Sequence, residues 1–255
     1  TAAFNGFADV LLPLGFKVSF TGGVSLNQYS AISASNPLYG QSAVSGGSIA
    51  REEGMSWSYT LQQLITWNRQ FDLHNVDILL GHESNYDMTR YTAGSKQGLF
   101  APNSSELSQG LKLYSASSAY GKYNNEGYLF RGQYDYAGRI FASVSYRRDA
   151  SSRFHPDNPW GDFWSVSAGW LINKESWFNV SWIDELKVKA SYGSQGNDAI
   201  GSYRYTDTYV YENNDGQVAV LFNSKGNPNI TWETNGNFNI GTEFGFWQGR
   251  LYGNI

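Results

Sequence analysis

Apolar and polar residues alternate strictly along three runs between residues 138 and 193. Successive side chains of a β-strand point to opposite faces, so each run predicts a strand with one apolar and one polar face. The polar faces are rich in Ser, Gly and Lys, while the apolar faces place Trp and Tyr near strand ends, where they suit a lipid boundary. The apolar faces carry Ile140, Ala142, Val144 and Tyr146 in the first run, Trp164, Val166, Ala168, Trp170 and Ile172 in the second, and Leu186, Val188, Ala190 and Tyr192 in the third.

The same pattern, followed along the whole chain, predicts about ten strands. They lie near residues 4–11, 16–29, 52–68, 72–90, 125–136, 139–149, 162–172, 184–194, 233–245 and 250–255. Short links near 13–15, 69–71, 137–138 and 247–249, with a somewhat longer link at 173–183, alternate with long links rich in Gly, Ser and Asn at 30–51, 91–124, 150–161 and 195–232. Long structureless links are unusual in a compact soluble domain but typical of an up-and-down membrane barrel.

Composition supports an all-β class and argues against nucleic acid as a partner. The chain has 28 Gly, 18 Tyr, 15 Phe and 9 Trp but only 6 Pro among 255 residues, which favours strands and turns over helices. A net charge of −4, with both signs interspersed, offers no basic surface for nucleic acid. The absence of Cys excludes disulfides and thiolate chemistry. No apolar run is long enough for a transmembrane helix, but barrel strands give no such run.

Both ends of the chain read as interruptions. The residues after Thr1 do not show the basic segment and the apolar segment that make up a signal peptide. Residues 251–255 read as the start of a strand that is cut off. An open sheet edge is not tolerated in lipid, so the remaining strands must lie elsewhere. We therefore expect residues 1–255 to be an internal, partial barrel domain of a longer protein.

Six sequence blocks carry a resemblance to a known family. They are 134–139 (YDYAGR), 147–154 (RRDASSRF), 158–161 (NPWG), 165–170 (SVSAGW), 186–193 (LKVKASYG) and 227–234 (NPNITWET). In order and spacing these blocks resemble the SusC/RagA-type TonB-dependent transporters of Bacteroidetes outer membranes. One departure is Ala150, where the family commonly has Gly. The resemblance is clear between residues 128 and 246, and before residue 128 it rests on strand pattern alone.

The resemblance implies an antiparallel transmembrane β-barrel of about 22 strands, of which this chain would supply about ten. It implies a location in the bacterial outer membrane, a plug domain that TonB pulls, and a SusD-like surface lipoprotein that caps the mouth. The substrates would be oligosaccharides, peptides or similar nutrients. The plug and the C-terminal strands would lie outside this chain. The resemblance implies neither catalysis nor a cofactor.

Alternation assigns individual residues to the two faces of such a wall. We expect Trp164, Val166, Trp170 and Val188 to face lipid, and Ser143, Ser167, Lys187 and Lys189 to face the lumen. In the long 195–232 link, Tyr203, Tyr205, Tyr209, Tyr211 and Phe222 are candidates for stacking on sugar rings or for contacting a capping partner, with ordinary loop packing as the alternative.

Other classes of protein remain open on the residues alone. A soluble β-sandwich that binds carbohydrate is the alternative fold and function, and it predicts that Trp164 and Trp170 are buried in protein. The three histidines, His74, His82 and His155, are spread over separate elements, which argues against a metal site. The carboxylate pairs 52–53 and 184–185 read as solvated charges near strand ends, because adjacent side chains of a strand point apart. Residues 212–216 read as a plain turn, not as a calcium loop.

Overall fold

The computed structural model describes residues 1–103 and 105–255, and strands dominate it. Twelve strands occur within these residues. They are β1 (Ala2–Leu11), β2 (Phe16–Ser35), β3 (Ser48–Phe71), β4 (His74–Leu99), β5 (Gly110–Tyr136), β6 (Ile140–Ser151), β7 (Trp160–Leu171), β8 (Ile183–Asn197), β9 (Thr208–Asn214), β10 (Gln217–Ser224), β11 (Glu233–Phe246) and β12 (Leu251–Asn254). No helix among the described residues has the length and apolar character needed to cross a membrane.

Ten strands form one antiparallel sheet in the order β1-β2-β3-β4-β5-β6-β7-β8-β11-β12. Each strand pairs with its neighbour in the chain, except that β9 and β10 leave the sheet between β8 and β11 to form a separate antiparallel hairpin. Connections therefore alternate between two ends of the sheet, which we call the short-turn end and the long-loop end. The predicted all-β, antiparallel architecture is confirmed.

The short-turn end is built from tight, left-handed backbone. Ala137 and Gly138 join β5 to β6 with φ of 55° and 63°. Positive φ at two successive positions matches the right-handed twist of the strands on either side, which is why two-residue hairpins adopt it. Asp135 Oδ1 accepts the Gly138 amide at 2.7 Å and fixes the turn. The predicted short link is therefore a true β-hairpin turn.

Several strands run beyond their predicted ends. β2 extends to residue 35, β3 begins at residue 48, β4 extends to residue 99 and β5 begins at residue 110. The predicted long link 91–124 is thus largely strand, and the link 30–51 is strand at both of its ends. Apolar residues do not alternate regularly along these extensions, and pairing with neighbouring strands of the sheet holds their backbone. A search for hydrophobic alternation therefore misses them.

The chain divides into two compact units. The first comprises Thr1–Gly6, Gly22–Thr60 and Asn85–Asn124. There Ile49 is fully buried and Leu99 nearly so, and the Leu99 amide donates to the Gly46 carbonyl at 2.8 Å. In the same unit the Tyr59 and Tyr86 rings stack with centroids 5.5 Å apart.

The second unit comprises Phe7–Thr21, Leu61–Ser84 and Asn125–Ile255, and it contains every predicted site residue. Its buried hydrophobic residues are Phe154 and Phe163, both near the long-loop end. Trp164 and Trp170 are 45% and 40% exposed. A soluble β-sandwich buries one face of each sheet against the other. The prediction of that alternative, that these tryptophans are buried in protein, is wrong.

Candidate functional site

Strand register in the second unit separates two faces of the sheet. Val144 lies opposite Val166, Tyr146 opposite Trp164, and Trp170 opposite Val188. Directly opposite residues of an antiparallel pair project to the same side, so these residues share one apolar face. The four residues predicted to face lipid, Trp164, Val166, Trp170 and Val188, all lie on it and are 37–45% exposed.

The opposite face of the same strands is polar. Ser143 and Ser167 lie opposite each other, with their hydroxyl oxygens 2.8 Å apart. Lys187 and Lys189 both pair with Glu243 of β11, Lys187 Nζ at 3.3 Å. All four residues predicted to face the lumen line one open cavity of about 840 Å³. Glu243 was not predicted, because only the β8–β11 register places it opposite Lys187.

Beyond Tyr146, the polar face carries a charged network. Arg147 Nε donates to both carboxylate oxygens of Asp149 at 2.8 Å, and its Nη2 donates to Glu83 at 2.7 Å. Gln62 donates to the other oxygen of Glu83 at 2.6 Å. One guanidinium therefore joins β4 and β6.

Three buried side chains of the second unit, Ser151, Phe154 and Phe163, lie near the long-loop end. Together with their contact partners they form a group that we call the loop-base cluster: Ser151, Arg153, Phe154, Phe163, Asp198 and Trp232. Phe154 and Phe163 each have ring centroids 5.3 Å from Trp232. The Trp232 Nε1–H donates to the Pro159 carbonyl at 3.0 Å. The cluster thus joins β6, β7 and the segment before β11.

Polar contacts complete the loop-base cluster. The Ser151 hydroxyl donates to Asp198 Oδ2 at 2.6 Å, and Arg153 Nη1 donates to the Asp198 carbonyl at 2.9 Å. Close packing excludes side chains at two glycines: a Cβ on Gly161 would lie 2.6 Å from Phe163 and 2.7 Å from Trp232, and one on Gly196 would lie 2.0 Å from Phe163. No member of the cluster was named as a site residue from sequence, although Ser151, Arg153, Phe154 and Trp232 lie within blocks that carry the resemblance.

The five predicted loop aromatics fall into two groups. Tyr209 and Phe222 face each other across the β9–β10 hairpin, with centroids 5.8 Å apart, and Tyr211 lies two residues along the same face. These three side chains are 56–77% exposed. Tyr203 and Tyr205 lie before the hairpin, with ring centroids 6.4 Å apart. The hairpin itself was expected to be a structureless link, and its Asp215-Gly216 turn has φ of 52° and 85°.

The three histidines occupy separate places. His74 contacts the Tyr134 hydroxyl at 2.7 Å, His82 lies between Gln63 and Glu126, and His155 lies 3.6 Å from Asp157. Within residues 1–103 and 105–255, no group of three or more His, Cys, Asp or Glu residues is arranged to hold a metal ion. The adjacent Glu52 and Glu53 accept hydrogen bonds from different partners, the Tyr29 and Ser30 hydroxyls.

A ten-stranded antiparallel sheet, in which strands β6–β8 carry one exposed apolar face and one polar face, is the architecture of a transmembrane β-barrel wall. Comparison with known proteins leads to one class of barrel. The chain is 25% identical over 261 residues to the TonB-dependent receptor SusC of Bacteroides thetaiotaomicron, a match that covers 99% of this chain and 25% of the receptor. It is 31% identical over 144 residues to the TonB-dependent receptor P26 of Formosa agariphila, covering 54% of this chain and 14% of the receptor.

Solved structures agree on the fold. The structure of the RagAB peptide transporter matches 98% of this chain and 28% of its own chain, with a TM-score of 0.92 and 24% identity. The RagAB peptide importer in its open-open state gives a TM-score of 0.89. No protein-family model matches the chain. The resemblance to SusC/RagA-type TonB-dependent receptors is confirmed, and the chain spans about a quarter of the SusC receptor.

Proposed function

We propose that this chain forms part of the wall and the extracellular loops of a TonB-dependent importer in a bacterial outer membrane. The observation that carries the proposal is the two-faced sheet, since Val144, Trp164 and Trp170 lie on its apolar face and remain 40–45% exposed. Lipid on that side would remove their apolar surface from water. The match to SusC over 99% of the chain supports the same function.

The proposal orients the wall. Trp164, Val166, Trp170 and Val188 contact lipid, while Ser143, Ser167, Lys187 and Lys189 face the lumen. The long-loop end lies outside the cell and the short-turn end in the periplasm, as is usual for outer-membrane barrels. In this orientation the cavity beside Lys187 and Lys189 opens toward the interior, and the β9–β10 hairpin stands outside the membrane.

The partners follow from the family resemblance. The whole protein would take up oligosaccharides, peptides or similar nutrients together with a SusD-like lipoprotein, with TonB acting through a plug region. The peptide named for the RagAB relatives supports a peptide substrate. Tyr203, Tyr205, Tyr209, Tyr211 and Phe222 are the residues of this chain that we propose for contact with substrate or with the capping lipoprotein. The wall forms and breaks no covalent bond.

Fluorescence with lipid-attached quenchers tests the membrane assignment. In the full-length receptor reconstituted in bilayers, a variant in which Trp164 is the sole tryptophan of this region should be quenched by brominated lipids. The matched variant keeps Trp232, which packs against Phe154 and Phe163, and should be quenched much less. Equal quenching of the two would contradict the assignment. Uptake by cells that express the receptor, lost on deletion of TonB, tests the transport function.

A further inference from the structure

Both chain segments that connect the β9–β10 hairpin to the sheet are tied to one place. Asp198 precedes the hairpin and Trp232 follows it, and both belong to the loop-base cluster. Asp198 accepts from Ser151 at the end of β6, while Trp232 donates to Pro159 and packs on Phe154 in the β6–β7 loop. The hairpin therefore leaves the wall and returns to it through a single anchored point.

The two connecting segments are also joined to each other. The Asn227 amide donates to the Arg204 carbonyl at 2.9 Å, and the Gly226 amide donates to Asp207 Oδ1 at 2.8 Å. A Cβ on Gly226 would lie 2.2 Å from the Thr206 carbonyl carbon, so the two segments are in backbone contact. Closing both ends of a long loop in this way removes much of its conformational freedom.

Burial distinguishes this anchor from the surface it supports. Ser151 and Phe154 are 1% and 2% exposed, whereas Tyr211 at the hairpin is 77% exposed. Local opening is rare where apolar contacts are buried and frequent where they are not. The cluster is thus the fixed part of this loop region.

We propose that the loop-base cluster is a positioning element for ligand capture, which holds the Tyr209, Tyr211 and Phe222 face in a fixed place over the mouth of the wall. The existence of a ligand rests on the proposed function, whereas the anchoring of the hairpin rests on the contacts described above. A surface that is ordered before binding loses less entropy when a ligand arrives. Loosening the cluster should therefore weaken capture and leave the later steps of transport intact.

Thiol accessibility tests the anchor directly, because this chain contributes no native Cys. In the full-length receptor on intact cells, a membrane-impermeant maleimide should label Ser151→Cys at least about tenfold more slowly than Ser152→Cys, its exposed neighbour. Adding Trp232→Ala should accelerate labelling of Ser151→Cys toward the Ser152→Cys rate. Trp232→Phe, which keeps an aromatic ring but loses the bond to Pro159, should lie between the two. Heat-modifiable mobility on gels identifies variants whose barrel is folded.

Equal labelling of Ser151→Cys and Ser152→Cys would overturn the inference, as would a folded Trp232→Ala receptor with unchanged labelling. In uptake, Trp232→Ala should raise the half-saturating substrate concentration and leave the maximal rate near that of the wild type. A fall in maximal rate alone would also overturn the positioning role. If the receptor imports no substrate and Ser151→Cys is still labelled more slowly than Ser152→Cys, the proposed function is refuted. The anchoring of the hairpin by the loop-base cluster would then still be supported.

Discussion

Apolar side chains are covered differently in two regions of the molecule, the wall strands β6, β7 and β8 and the loop-base cluster. In the wall, large apolar residues such as Val144 and Trp164 are 43% and 45% exposed. In the loop-base cluster, Phe154 and Phe163 are almost completely buried by their own chain. Backbone pairing holds the wall, and the proposed lipid covers it, whereas side-chain packing holds the cluster. Different parts of one sheet can therefore be stabilised by different contacts: the wall by backbone pairing and the proposed lipid, and the loop-base cluster by packing within the protein.

The largest expected effect comes from placing a charge on the apolar face of the wall. Val144→Arg should lower the free energy of unfolding by about 2–4 kcal/mol, because a charged side chain near the bilayer midplane is desolvated. Ser143→Arg changes the adjacent residue on the polar face, where it meets Ser167 and solvent, and should cost much less. Urea titration of the receptor folded into bilayers measures both. Equal losses would remove the distinction between the two faces.

The charged network between the two regions gives the next effect. Arg147→Met keeps much of the length of the side chain but leaves Glu83 and Asp149 without their shared guanidinium, so we expect a loss of about 1–3 kcal/mol at neutral pH. Arg148→Met is the matched control, because Arg148 is more exposed and its contact with Asp162 is longer, at 3.7 Å. A similar loss in both variants would contradict this role for Arg147.

Sequence alone predicted the wall better than the loop-base cluster. Alternation around Trp164, Val166 and Val188 is a local property of each strand, and the register of β7 and β8 places these residues on one face. The partners of Ser151, Phe154 and Trp232 come from segments far apart in the chain, so no periodicity reveals them. The ion pair between Glu243 and Lys187 was missed for the same reason, since only the register of β8 and β11 brings the two residues together.

The strand extensions and the β9–β10 hairpin escaped prediction for a related reason. A strand whose residues do not alternate between apolar and polar lacks the pattern from which strands are recognised. Residues 110–124 and 217–224 carry much Ser, Gly and Asn, or apolar runs without alternation, and their pairing is a property of two strands together.

Packing at the loop-base cluster should be sensitive to a single methyl group. Gly196→Ala places a carbon where Phe163 already lies, and we expect a loss of about 1–2 kcal/mol from over-packing. Gly169→Ala in the wall is the control, because its added carbon would find ordinary contacts at 3.7–3.8 Å. The same urea titration measures both variants, and Gly196→Ala should cost less in a Phe163→Val background than in the wild type, because the smaller side chain leaves room for the added carbon. An equal response from the two glycines would show that the cluster is no tighter than the wall.

The smallest expected effect tests whether side-chain contacts matter to the wall at all. Ser143→Ala removes one hydroxyl from a pair whose oxygens lie 2.8 Å apart on the polar face, and should cost only about 0.5–1 kcal/mol, since water can replace the lost partner. Ser151→Ala removes a hydroxyl that is 1% exposed and bonded to Asp198, so that acceptor is harder to rehydrate and the loss should be larger. Urea titration of the two serine variants compares the regions with one chemical change. A greater loss at Ser143 would mean that polar pairing, and not backbone pairing with lipid cover, carries the wall.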